Sequence, residues 1–86
     1  MNLRYDKDID AVYLYLKDNK IAASEVVRSQ EVAPGVIYDF DGLSNVVGIE
    51  ILSVRQRTYE QMKQFYSPLT EEQRGEFRKL CSQLPT

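Results

Sequence analysis

Two apolar runs limit what this chain can fold into: residues 11–16, Ala-Val-Tyr-Leu-Tyr-Leu, and residues 46–54, Val-Val-Gly-Ile-Glu-Ile-Leu-Ser-Val. Successive side chains of a strand point to opposite faces. In the first run Val12, Leu14 and Leu16 share one face, and Ala11, Tyr13 and Tyr15 the other. In the second, Val47, Ile49 and Ile51 oppose Val46, Leu52 and Val54. A sheet with one wet face would place polar residues on that side. Here both sides are substantially apolar, so the sheet is expected to need cover twice.

The rest of the chain supplies partners for these runs. Leu3-Arg4-Tyr5 alternates, and Asp6-Lys7-Asp8-Ile9-Asp10 is rich in turn formers, so residues 3–16 read as a hairpin. A second turn is expected over residues 17–20 and a longer, weaker strand region over residues 21–32. Ala33-Pro34-Gly35 breaks that strand, because Pro lacks a donor and Gly permits unusual φ. Val36-Ile37-Tyr38-Asp39-Phe40 is a further strand, followed by a loop at residues 41–45. Short connections favour antiparallel pairing, since parallel strands need long crossovers. The expected sheet is an antiparallel meander of about five strands.

Beyond Val54 the period changes. Residues 55–66 have weak helical character, with Thr58 as cap and Gln61 three residues on. Ser67-Pro68 interrupts. Thr70 and Gln73 repeat the capping spacing, and Glu71 and Glu72 occupy the first turn, where the helix dipole favours acids. Phe77, Leu80, Cys81 and Leu84 then form one apolar stripe, ended by Pro85. The fold class is α+β, a sheet over residues 1–54 packed against a C-terminal helix within residues 55–86. The helix can cover one sheet face. The other needs residues 55–66 or a second copy of the protein, so a homo-oligomer, a homodimer in its simplest form, is expected.

The chain has 86 residues and a formal net charge of −2. It is one domain by length, burying only about 60–65% of its unfolded surface. The charge is uneven: residues 1–54 carry nine acidic and five basic side chains, residues 55–86 four and six. Near-neutral charge makes nucleic acid an unlikely partner. One cysteine and a charged N-terminal stretch without an apolar run point to a cytoplasmic protein with no disulfide, no signal peptide and no membrane span.

No histidine is present, which removes the commonest general base and transition-metal ligand. Asp6, Asp8 and Asp10 have the spacing that opens a calcium loop, but its sixth and twelfth positions are Ala11 and Lys17 where Gly and Glu are needed. They read as a hairpin turn. Asp39, Asp41 and Glu50 form a second acidic set, on or beside adjacent strands, which could hold a divalent cation or serve a small hydrolase-like enzyme. Cys81 lies in an apolar stripe with no histidine to activate it and reads as a structural thiol. Arg55, Arg57 and Lys63, interleaved with Tyr59, Phe65 and Tyr66, form a short basic–aromatic stretch of a kind seen on nucleic-acid surfaces. Pro34-Gly35 turns the chain, and Gly48 inside a strand marks a close approach or a bulge.

Three elements in order carry a resemblance. Tyr5-Asp6, then Asp8, Asp10 and Ala11-Val12-Tyr13-Leu14, then Val32-Ala33-Pro34-Gly35-Val36, then Asp39-Phe40-Asp41 with Val46-Val47-Gly48-Ile49-Glu50-Ile51-Leu52 resemble the bacterial family known as domain of unknown function 2283, over residues 2–54. The chain departs from the family pattern in the loop after Asp41, where Ser44 stands near the usual glycine position and Gly42 comes earlier. The resemblance implies a small β-rich domain without established activity and supplies no catalytic, cofactor or metal residues. Taken together, the sequence favours a non-catalytic protein-interaction module, forming a homo-oligomer or binding another small bacterial protein.

Overall fold

The computed structural model describes residues 2–16, 25–65 and 67–83. The expected turn at 17–20, the beginning of the weak strand region at 21–24, Tyr66, and the helix-end residues Leu84 and Pro85 lie outside them. The described chain forms five strands: β1 (Asn2–Asp6), β2 (Ala11–Tyr15), β3 (Arg28–Ala33), β4 (Val36–Phe40) and β5 (Val46–Leu52). Two short 3-10 turns, Val54–Gln56 and Lys63–Phe65, flank a one-turn helix α1 (Tyr59–Met62). Helix α2 (Glu71–Gln83) follows. No helix among the described residues is long and apolar enough to cross a membrane.

All strand pairs are antiparallel, in the order β1-β2-β5-β4-β3. The hairpins β1–β2, β3–β4 and β4–β5 join sequence neighbours, as a meander would. The centre differs from a simple meander: β2 pairs with β5 rather than with β3. The physical reason is burial. β2 and β5 carry the two apolar runs and bury Val12, Leu14, Ile49 and Ile51 almost completely. β3, Arg-Ser-Gln-Glu-Val-Ala, is exposed along most of its length. A polar strand is cheaper at an edge, where one side of its backbone faces solvent.

The core lies against one sheet face only. Val12, Leu14, Val36, Ile49 and Ile51 meet Val54, Met62, Phe65, Leu69 and Phe77 in a single cluster, with Leu3, Tyr5, Tyr38, Leu80 and Cys81 packed on its margin. Among the described residues, the buried side chains after the sheet therefore cover the same side. The buried residues of the 55–66 segment do not turn to the second face: Met62 and Phe65 pack with Phe77.

Two residues expected on the second face also join this core. Val54 does so because Ser53 adopts a left-handed φ of 54°, which breaks the strand alternation and folds the chain back over the sheet. Val46 does so because the β4–β5 register shifts between Asp39 and Phe40, a bulge that pairs Val46 with Phe40.

The cover is stitched down by polar contacts at its margins. Tyr38 Oη donates to the Phe65 carbonyl (3.1 Å), and Gln73 Nε2 to the Leu16 carbonyl (3.3 Å). Both capping boxes form. Gln61 N donates to Thr58 Oγ1 while Thr58 N donates to Gln61 Oε1, and Gln73 with Thr70 repeats the arrangement.

Two turns show where local chemistry holds the backbone. Gly35 has φ 74°, which L side chains rarely adopt. In the loop after β4 it is Ser44, not Gly42, that is left-handed (φ 64°), so the strained position coincides with the one where the family pattern places glycine. Asp41 holds the loop in that shape by accepting from the backbone N–H groups of Leu43 and Asn45, each at 2.9 Å.

Candidate functional site

The second face of the sheet is the candidate site. The registers place Arg4, Tyr13, Glu50, Ile37 and Glu31 in one row across β1, β2, β5, β4 and β3. The adjoining rows carry Tyr15, Gly48, Asp39 and Ser29 on one side, and Asp6, Ala11 and Leu52 on the other. Tyr13, Tyr15, Ile37, Asp39, Glu50 and Leu52 are half-buried. The face is thus neither greasy nor wet: aromatic and aliphatic side chains alternate with carboxylates.

Tyr13 organises it. Its hydroxyl donates to Asp39 Oδ2, and Ser29 Oγ donates to Asp39 Oδ1 at 2.6 Å. To reach β4 from β2, the tyrosine ring must cross β5, and it does so over Gly48. A Cβ at Gly48 would stand 2.6 Å from Tyr13 Cζ, closer than real Cβ atoms come to a neighbour. This is the close approach that a glycine inside a strand signals. Tyr15 stacks obliquely on the same ring, centroids 4.6 Å apart. Burial pushes the Tyr13 phenol well above its ordinary range, and the hydrogen bond to Asp39 adds to that. Tyr13 is therefore a held donor rather than a base.

Asp39 and Glu50 share this face, diagonally placed on neighbouring strands, as the spacing anticipates. Asp41 does not join them: its carboxylate is turned into its own loop, towards Leu43 and Asn45. Among the described residues, no three carboxylate or thiol groups converge as metal ligands.

The remaining candidates also have local partners. Asp6 accepts from the Asp8 N–H (3.0 Å), an Asx turn within the hairpin. Asp10, left-handed at φ 53°, accepts from Tyr5 Oη at 2.9 Å and from Arg55 Nε at 3.0 Å. It joins the hairpin tip to the start of the cover. Arg57 donates to the Leu52 carbonyl (2.8 Å) and the Pro34 carbonyl (2.6 Å), bracing the β3–β4 turn. Lys63 pairs with Glu60 at 3.5 Å, and Phe65 is buried. Arg55, Arg57, Lys63 and Phe65 of the basic–aromatic stretch are therefore dispersed among structural contacts. Cys81 is half-buried at the margin of the core, and burial raises its thiol pKa.

Two functional-looking residues escape a reading by motif. Tyr13 reads as a strand aromatic. Its signal is a tyrosine on the second face set diagonally to a glycine in the strand beside it. Asp10 reads as a turn residue, and nothing local announces its contact with Arg55, 45 positions away.

Comparison with curated proteins and with solved structures gives no match. A family model, described as protein of unknown function (DUF2283), matches residues 2–55, the sheet and the first residues beyond it. The helix α2 lies past that match. On this evidence the chain belongs to the DUF2283 family.

Proposed function

We propose that this protein is a non-catalytic interaction module that assembles with a second copy of itself through the open sheet face. The observation that carries the reading is the one-sided cover: residues from 54 to 83 pack their core side chains onto a single face. On the other face Tyr13, Tyr15, Ile37 and Leu52 stay half-buried with no layer above them among the described residues. A face of this kind gains free energy when another surface excludes water from it, by roughly 25 cal/mol for each Å² of apolar surface covered. A different small protein could occupy the same face, and the test separates the two.

A cation-binding or hydrolytic role for Asp39, Asp41 and Glu50 has less support, because Asp41 faces its own loop and Asp39 is engaged by Tyr13 and Ser29.

Light scattering coupled to gel filtration, at tens of micromolar, tests the reading. The wild-type protein is expected to run as a dimer. Tyr15→Lys, on the open face beside Tyr13, is expected to run as a monomer with an unchanged circular-dichroism spectrum. A wild-type monomer would overturn self-assembly and leave a different protein as the occupant.

A further inference from the structure

We infer that the second copy docks by reciprocal pairing of Arg4 with Glu50, around a two-fold axis lying over Tyr13; this rests on the self-assembly reading above. Arg4, Tyr13 and Glu50 occupy one row on three neighbouring strands. Tyr13 separates the two charges by two strand spacings, about 10 Å, and among the described residues neither Arg4 nor Glu50 forms an ion pair. Both also line the same hollow, of about 240 Å³, together with Asp6, Ile9, Ala11 and Tyr13.

That hollow follows from the sequence. Ala11 is the smallest side chain in its row, between Asp6 on β1 and Leu52 on β5. Larger neighbours form the walls, and Ile9, 62% exposed, stands on the rim from the hairpin tip.

The charge order makes the face complementary to itself. A two-fold axis parallel to β2 and above it exchanges the two sides of the row. It sets Arg4 of one copy over Glu50 of the other, and Glu50 over Arg4. A two-fold interface requires this reciprocity, because each contact must occur twice with the roles exchanged. Facing sheets pack about 10 Å apart, a gap that an arginine and a glutamate span together. Tyr13 meets its own counterpart at the centre. The exposed Ile9 gives each copy an apolar projection on the rim of the hollow. Withdrawing both charges from water against each other offsets the cost of burying either alone.

A charge-swap experiment tests this with the intact chain. Arg4→Glu and Glu50→Arg are each expected to weaken self-association by about tenfold or more, leaving monomers at tens of micromolar. Mixed in equal amounts, the two variants are expected to form a one-to-one dimer, since every Arg4–Glu50 contact becomes a contact of opposite charges again. Glu50→Gln provides a milder variant if the swap at this half-buried position does not fold, and is expected to weaken the dimer in the same direction. A wild-type dimer that survives both swaps, or two monomeric variants that fail to combine, would overturn the pairing. If Tyr15→Lys still dissociates that dimer, self-assembly through this face stands and only the pairing falls. A wild-type monomer would overturn both.

Discussion

The two faces of the sheet are made by the same strands and obey the same alternation, yet they are different materials. The covered face is aliphatic and dry. Val12, Leu14, Ile49 and Ile51 are buried there beneath Met62, Leu69 and Phe77, and no polar or charged residue among those described is buried. The open face is aromatic and acidic, and its principal contact is a hydrogen bond from Tyr13 to Asp39 laid over a glycine. The difference teaches how a thin domain of this size divides its work. One side holds the fold by excluding water. The other is ordered by specific contacts that remain within reach of solvent and of a partner. Side-chain chemistry alone does not separate the two, because Tyr5 and Tyr38 lie at the margin of the covered face while Ile37 and Leu52 lie on the open one.

The comparison breaks first if the covered face does not dominate stability. Phe77 is fully buried at the centre of the cover. Phe77→Ala is expected to cost about 3–5 kcal/mol, through lost transfer energy and the cavity left behind. Urea titration followed by circular dichroism measures this. A loss no larger than that of an open-face truncation such as Ile37→Ala would remove the distinction.

A smaller effect sharpens the account of the open face. Gly48→Ala places a methyl group against the Tyr13 ring and is expected to cost about 1–3 kcal/mol. The cost should largely disappear in a Tyr13→Ala background, where the ring is absent. Equal costs in the two backgrounds would mean that Gly48 serves the backbone of β5 rather than the tyrosine. The same pair of measurements yields the coupling energy of the double-mutant cycle.

The smallest effect is a pH dependence. The Tyr13 phenol is raised in the folded protein, first by burial and then by Asp39. An unfolded tyrosine ionises near about 10. The contribution of Tyr13 to stability is therefore complete below that pH and is lost as pH rises towards the folded value, because only the unfolded chain gives up its proton. Tyr13→Phe is expected to flatten this alkaline decline and to lower stability at neutral pH by about 1 kcal/mol, the scale of one hydrogen bond. Denaturant melts from neutral pH into the alkaline range compare the two proteins. An unchanged alkaline slope in Tyr13→Phe would assign the decline to other groups, with Tyr5 and Tyr38, both also raised, as the alternatives.

Much of this molecule is local and so could be read along the chain. The strands other than the polar β3 appear where apolar and aromatic residues run or alternate. Both Thr–Gln capping boxes form at their expected positions, and Phe77, Leu80 and Cys81 turn one helical face to the core. The acidic residues of the hairpin and of the loop after β4 make turns, because an Asp carboxylate finds backbone N–H groups two and four residues away without help from the rest of the fold. The candidate site was legible only in part. Asp39 and Glu50 fall on one face by strand alternation alone, whereas the turning away of Asp41 depends on the loop geometry around Ser44.

What only the tertiary structure decided are the contacts between residues far apart in sequence. The chain contained two strands apolar enough to occupy the centre, but their pairing, β2 with β5, became fixed only through the shared core beneath Phe77. That pairing sets Tyr13 beside Gly48 and within reach of Asp39, and it brings Asp10 to Arg55. Strand and helix tendencies act over a few residues, where neighbouring side chains and backbone groups already meet. Pairing and cover are chosen by which distant apolar surfaces can be buried together, at the cost of closing the loops between them. The sequence by itself therefore determined most of the elements and their apolar residues, while burial in three dimensions moved Val46 and Val54 to the covered face and, among the described residues, put the cover on one face only.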